Sequence, residues 1–304
     1  MKTKNIYFTV GIVLISVLYL FLRLYKLNEL IGFRLDQGIH LLETKIMFDT
    51  GKIKLVGPMV TSKTFMGRQF FIGANYYYVL GIIGMLGQWN PEIITIIFIF
   101  LELGFYLFFV FYLKRKFNQL WSLLVFLFIS ISPYLIIHSR FFWNPHLLIP
   151  LSILVLYFGD KYLLKKEIKY LFLAAFCWGF GNACHYSAVF WGVWFVYLLI
   201  KSKQIGIIKP YLIIILGFIL GDLPWFIFEL RHNFYNTKTM FYVFMNSTSG
   251  GELTSHYFVF PLLVFITFGL LFLIKKIKNK NIGNGVLIAL FLGLFLIQTK
   301  IYRN

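Results

Sequence analysis

Asp36, His40 and Glu43 bring two carboxylates and an imidazole into one short segment, spaced so that a helix would carry all three on one face. The segment 31–51, IGFRLDQGIHLLETKIMFDTG, also holds Asp49, in a chain with eleven acidic residues altogether. Leu35, Ile39, Leu42 and Ile46 recur with the same period and form an opposite, apolar stripe. Asp49-Thr50-Gly51 supplies a C-terminal stop. The pattern predicts a helix lying on a membrane surface, with its acid–base groups turned to water or to a substrate. A simpler reading has Asp36 as the helix N-cap and the other charges as a solvated face. The two readings are compatible.

Three later stretches hold the remaining polar groups. In SPYLIIHSRFFWNPHLLIP (132–150), three prolines break any continuous helix, and Arg140 stands beside Phe141, Phe142 and Trp143. It reads either as a functional cation with Asn144 following, or as a snorkelling arginine in an aromatic belt. In NACHYS (182–187), His185 and Tyr186 interrupt an apolar run; His185 is either a packed histidine or a group kept at membrane depth for a purpose. In GDLPWFIFELRHNFYNTKT (221–239), Pro224 ends or kinks a span, and Glu229, Arg231 and His232 follow. Arg231 has the fork geometry to clamp a phosphate, unless it only pairs with Glu229 at the surface. Glu102 stands alone in an apolar run with no obvious partner.

The elements that must position these groups are membrane helices. Sixty per cent of the residues are hydrophobic and the mean hydropathy is +0.79, outside the range of soluble domains. The expected fold is an all-α polytopic membrane protein, and the absence of short alternating segments argues against a β-barrel. Candidate spans are 6–23, 70–88, 92–113, 120–137, 147–164, 170–200, 210–228, 257–274 and 285–301. Residues 1–304 then form one transmembrane domain, with a first external loop at 24–69, an outer loop at 229–256 and a short C-terminal part. The net charge of +18 does not indicate nucleic acid, because the lysines and arginines cluster between apolar runs. Cys177 and Cys184 read as packing residues, and no compact set of metal ligands is present.

Placing the basic clusters inside (Lys2/Lys4, Lys114–Lys116, Lys161–Lys169, Lys201–Lys209, Lys275–Lys280) fixes the topology. The stretch 70–88 must then be re-entrant, interfacial or partly inserted. The run 170–200 must start and end inside; as one helix it would be about 46 Å long, so two half-length helices meeting near Asn182–His185 fit better. All six histidines, including His138, His146 and His256, fall outside in this scheme, as do Arg140, Asn144, Asp222, Glu229 and Arg231. An external polar cavity roofed by the 24–69 loop follows.

Taken in order, Asp36 with Glu43 downstream, SRFFWNPHLLIP, GFGNACHYSA (179–188) and LPWFIFELRHNFYNT (223–237) resemble the GT-C superfamily of membrane glycosyltransferases. Within it the chain is similar to family 39, the protein mannosyltransferase and aminoarabinose transferase type. The likeness covers about residues 1–240. It departs from the usual pattern where Gln37 follows Asp36 and where GRQFFIGANYYY replaces a His-Pro-Pro stretch. The resemblance implies a GT-C helical bundle whose site lies on the outer face of the cell membrane. It implies inverting transfer of a sugar from a polyprenyl-phosphate donor to a glycan, lipid or protein acceptor; the residues themselves indicate no cofactor or metal. Asp36 would be the catalytic base. Arg140, Arg231, His185 and His232 would hold the donor phosphate, with His40, Glu43, Asn144, Tyr186 and Glu229 in supporting positions on the acceptor side. A polyprenyl-lipid transporter, or a non-catalytic relative that binds lipid or a partner, is also open; no internal repeat of the transporter kind is evident.

Overall fold

Proline, asparagine and glycine set several helix boundaries. The computed structural model describes residues 2–60 and 69–246. The spans expected at 257–274 and 285–301, His256, the cluster from Lys275 and the end of the outer loop lie outside the described residues. The helices are α1 (Lys2–Leu24), α2 (Leu27–Leu30), α3 (Leu35–Thr50), α4 (Asn75–Leu86), α5 (Pro91–Lys116), α6 (Gln119–Ile131), α7 (Pro133–Ser139), α8 (Leu148–Lys165), α9 (Ile168–Cys184), α10 (Gly192–Lys201), α11 (Ile208–Gly221), α12 (Leu223–Arg231) and α13 (Tyr235–Asn246). Short 3-10 turns cover Asn144–Leu147 and Tyr186–Trp191. Strands β1 (Val56–Met59) and β2 (Phe71–Gly73) pair antiparallel between α3 and α4.

The segments Ile6–Leu24, Pro91–Lys116 and Asn144–Lys165 are long and apolar enough to cross a membrane. Two bent pairs, α6 with α7 at 61° and α11 with α12 at 83°, bring the number among the described residues to as many as five. The chain is a largely helical integral membrane protein. Two long sequence runs are built differently from a simple span. Residues 70–88 form β2 and the twelve-residue α4. The run 170–200 breaks at His185, whose extended backbone ends α9. The chain then doubles back, so that Trp178 of α9 stacks on Phe195 of α10 with ring centroids 4.8 Å apart.

The described residues fall into two compact units, one of 2–33 with 90–142, the other of 34–60, 69–89 and 143–246. In the first, Asn90 caps α5, accepting from the Glu92 and Ile93 N–H groups at 2.9 and 3.3 Å, with Pro91 at the first helical position. Asn118 caps α6 and Ser132 caps α7 in the same way. Pro133 has no N–H, so the Ile129 carbonyl four residues back loses its helical donor. Arg23, 0 % exposed, reaches that carbonyl at 3.1 Å and the Ser130 carbonyl at 2.9 Å. Its guanidinium lies 3.6 Å from the centroid of the Tyr19 ring, and the Tyr19 hydroxyl donates to Glu102 at 3.4 Å. Glu102, unmatched in the sequence, thus belongs to a buried polar chain linking α1, α5 and α6.

In the second unit, α9 and α11 run side by side in the same direction. Their contact is made by small residues: a Cβ on Gly179 would collide with the Phe218 carbonyl, and one on Gly221 with the Phe176 carbonyl. Gly217 and Gly221 form the small-residue spacing that lets membrane helices approach closely. Both helices begin beside basic residues, and toward their ends Asn182 of α9 stands level with Asp222, which follows α11.

Candidate functional site

The second unit carries α3. Arg34, not Asp36, occupies its N-cap position, and the Arg34 N–H donates to the Gln37 side chain at 3.0 Å. The capping role considered for Asp36 therefore falls to its neighbours. Asp36 sits in the first turn, where a carboxylate suits the helix dipole. At the other end Gly51 adopts the left-handed conformation (φ 66°) that closes the helix. Leu35 is 77 % and Leu42 60 % exposed, while Gln37, His40, Thr44 and Met47 are buried. An inside-out helix of this kind suits an apolar stripe that meets lipid.

The acidic groups of α3 differ in their engagement. Glu43 accepts from the Tyr77 hydroxyl and pairs with Lys54 at 3.3 Å, tying α3 to α4 and to the segment that leads into β1. Asp49 pairs with Lys45. Asp36 is exposed and has no hydrogen bond or ion pair to another described residue. His40 packs edge-on against Tyr76 and Tyr77, ring centroids 5.7 and 6.0 Å away.

Burial holds the His40 imidazole below its ordinary value of 6.5, against the opposing pull of Asp36 and Glu43. A depressed histidine favours the neutral ring in the fold. Its contribution to stability is complete above pH 6.5 and is lost as pH falls toward the folded value. Acidification from neutrality is therefore expected to loosen the α3–α4 contact, read as faster hydrogen exchange over 35–50. His40→Gln should abolish that pH dependence; an identical acid response in the variant would place the titrating group elsewhere.

The second focus is the break after α9. The Asn182 amide donates to Asp222 Oδ2 at 3.2 Å, Asn75 to the Gly221 carbonyl at 2.7 Å, and Asn144 to the Cys184 carbonyl at 2.8 Å. The last two satisfy carbonyls at helix C-termini, which have no donor of their own. His185 Nδ1 accepts from the Ser187 N–H at 3.2 Å, so a neutral ring carries its proton on Nε2. The Tyr186 hydroxyl and the Trp225 indole both donate to the Phe71 carbonyl, at 2.8 and 3.3 Å, fastening β2 over this break.

Beyond α12 the chain reverses through Asn233 and Phe234, both with positive φ. Glu229, 1 % exposed, accepts from the N–H groups of Asn236 and Thr237 and from the Thr237 hydroxyl, at 2.9, 2.8 and 2.6 Å. It caps α13 and does not pair with Arg231. Arg231 and His232 are exposed; His232 stacks on Phe228, and Arg231 has no hydrogen bond or ion pair among the described residues.

Of the expected site residues, Asp36, His40, Glu43, Asn144, His185, Tyr186, Glu229, Arg231 and His232 belong to the second unit. Arg140 belongs to the first, where it donates to the Leu22 carbonyl at 2.7 Å and caps α1. The structure ties Asn144 and Tyr186 into one knot with Asn75, Asn182, Asp222 and Phe71. Asp222 and Asn182 escaped the sequence reading as site residues. The available signal was a lone carboxylate inside an apolar run before Pro224.

A family profile described as Dolichyl-phosphate-mannose-protein mannosyltransferase matches residues 75–228, about half of the chain. The chain belongs to this family. No curated protein and no solved structure matches it. The mannosyltransferase match runs from the start of α4 almost to the end of α12. It takes in Arg140, Asn144, His185, Tyr186 and Asp222. Asp36, Glu229, Arg231 and His232 lie outside it.

Proposed function

We propose that this chain is an inverting glycosyltransferase that moves a sugar from a polyprenyl-phosphate donor to an acceptor on the outer face of the membrane. The match to the mannosyltransferase family carries this reading. A lipid phosphate is already a good leaving group, so the chemistry needs one base for the acceptor hydroxyl and cations for the departing phosphate. Asp36 is the proposed base: Glu43 and Asp49 are engaged with lysines, and Asp36 is not. Its helix turns a leucine and isoleucine stripe outward, which would keep the carboxylate at the water–lipid boundary, where a polyprenyl phosphate presents its head.

Arg231, with its guanidinium uncommitted among the described residues, is the first choice to hold the phosphate; His185 and His232 accompany it. Arg231→Lys is expected to weaken donor binding by about tenfold, because the two-pronged contact with phosphate is lost while the charge stays. A donor titration giving the wild-type affinity would remove Arg231 from the phosphate site. Inversion itself is tested by the anomeric configuration of the product, read by NMR. A β-linked donor must yield an α-linked product, and retained configuration would contradict a single displacement.

A further inference from the structure

Two buried polar atoms beside β2 have no partner among the described residues, and they are of opposite kind. Asp222 is 1 % exposed; its Oδ2 accepts from Asn182, and its Oδ1 accepts from nothing. Asn236 is 0 % exposed. Its Oδ1 accepts from the Phe71 N–H at 3.0 Å, which fixes the amide orientation and leaves Nδ2 without an acceptor. A strand rises about 3.3 Å per residue, so Phe71 and Gly73, the two points where these side chains meet β2, stand about 7 Å apart. A Cβ on Gly73 would lie 2.5 Å from Asp222 Oδ1. Only glycine lets the strand pass so close to the carboxylate.

A buried acceptor and a buried donor, each unmatched, are unusual in a folded chain and point to a missing partner. The pair selects the chemistry of that partner. A phosphodiester, which carries acceptors alone, has no hydroxyl to donate to Oδ1, and a cation has nothing to gain from an amide N–H. A sugar ring answers both, because each hydroxyl can donate and accept. Tyr186 and Trp225, whose polar tips meet at the Phe71 carbonyl, add aromatic surface beside the pair. We propose that Asp222 and Asn236 form a recognition subsite for the sugar ring of the donor, one accepting from a ring hydroxyl and the other donating to a second. This rests on the glycosyltransferase reading and names the part of the site that distinguishes the sugar from its lipid carrier. Both atoms are enclosed where β2 packs, so the ring reaches them only when β2 moves aside.

Two near-isosteric changes test the subsite in the full chain, reconstituted in nanodiscs. Asp222→Asn keeps an oxygen for Asn182 and replaces the unmatched acceptor with a donor. Asn236→Asp keeps the oxygen for the Phe71 N–H and removes the unmatched donor. Affinity is measured for a polyprenyl-phosphate hexose and for the same polyprenyl phosphate without sugar. Each variant is expected to lose about tenfold or more for the sugar-bearing lipid, the usual weight of leaving a buried polar group without its hydrogen bond. Binding of the bare lipid should stay unchanged. Equal losses for both lipids would reduce the pair to a structural role, and no loss for either would mean that the two atoms share a bridging water only. Should Asp222→Asn fail to fold, Asn236→Asp gives the same reading alone. If the wild-type chain binds neither lipid, the glycosyltransferase reading fails as well. If it binds both and the variants leave its preference for the sugar intact, the subsite fails by itself.

Discussion

Asp36→Asn is expected to lower sugar transfer by at least about 100-fold, the usual scale for loss of a general base. The substitution keeps size and polarity on an exposed first-turn position, so the fold should survive. The N-cap contact is made by Arg34 and Gln37 and does not involve residue 36. The loss should therefore fall on turnover, with donor affinity nearly unchanged, since a base acts on the acceptor hydroxyl. His40→Gln provides the contrast: its ring packs against Tyr76 and Tyr77 and helps to seat α3. It should affect the acid stability of the helix more than the chemical step. Near-normal transfer by Asp36→Asn would rule this carboxylate out as the base.

Arg23→Met is expected to destabilise the first unit by about 3–5 kcal/mol, the typical penalty for removing one member of a buried charged network. The change leaves the Ile129 and Ser130 carbonyls without their donor beside the Pro133 break. It also strips the cation from the Tyr19–Glu102 chain. Adding Glu102→Leu should restore part of the loss, because no buried carboxylate is then left behind. Unfolding of the single and double variants in bicelles measures both effects. An Arg23→Met variant as stable as the wild type would mean that the network has no structural weight.

Local pattern made some of these features readable from the sequence. The i, i+4, i+7 repeat of Leu35, Ile39 and Leu42 identified α3 and its outward stripe, because amphipathic periodicity is a property of the segment alone. His185 marked the break in a run too long for one span, and Gly51 marked the end of α3. Pairings between distant segments were not readable. Asn182 and Asp222 are forty residues apart, and only the close packing of Gly179 against Gly221 brings their helices together. Glu102 looked isolated because its partner, Tyr19, is contributed by another helix. Glu229 looked like the partner of Arg231, two residues away, whereas the reversal at Asn233 and Phe234 turns it onto the start of α13.

Transfer of a lipid-linked sugar, with Asp36 as the base, is the central proposal. Purified chain, wild type and Asp36→Asn, should be incubated with a panel of polyprenyl-phosphate sugars and acceptors, followed by mass spectrometry of both lipid and acceptor. The expected result is free polyprenyl phosphate together with an acceptor heavier by one sugar in the wild type, and intact donor in the variant. Intact donor throughout the panel with the wild-type chain, or equal products from both proteins, would contradict it.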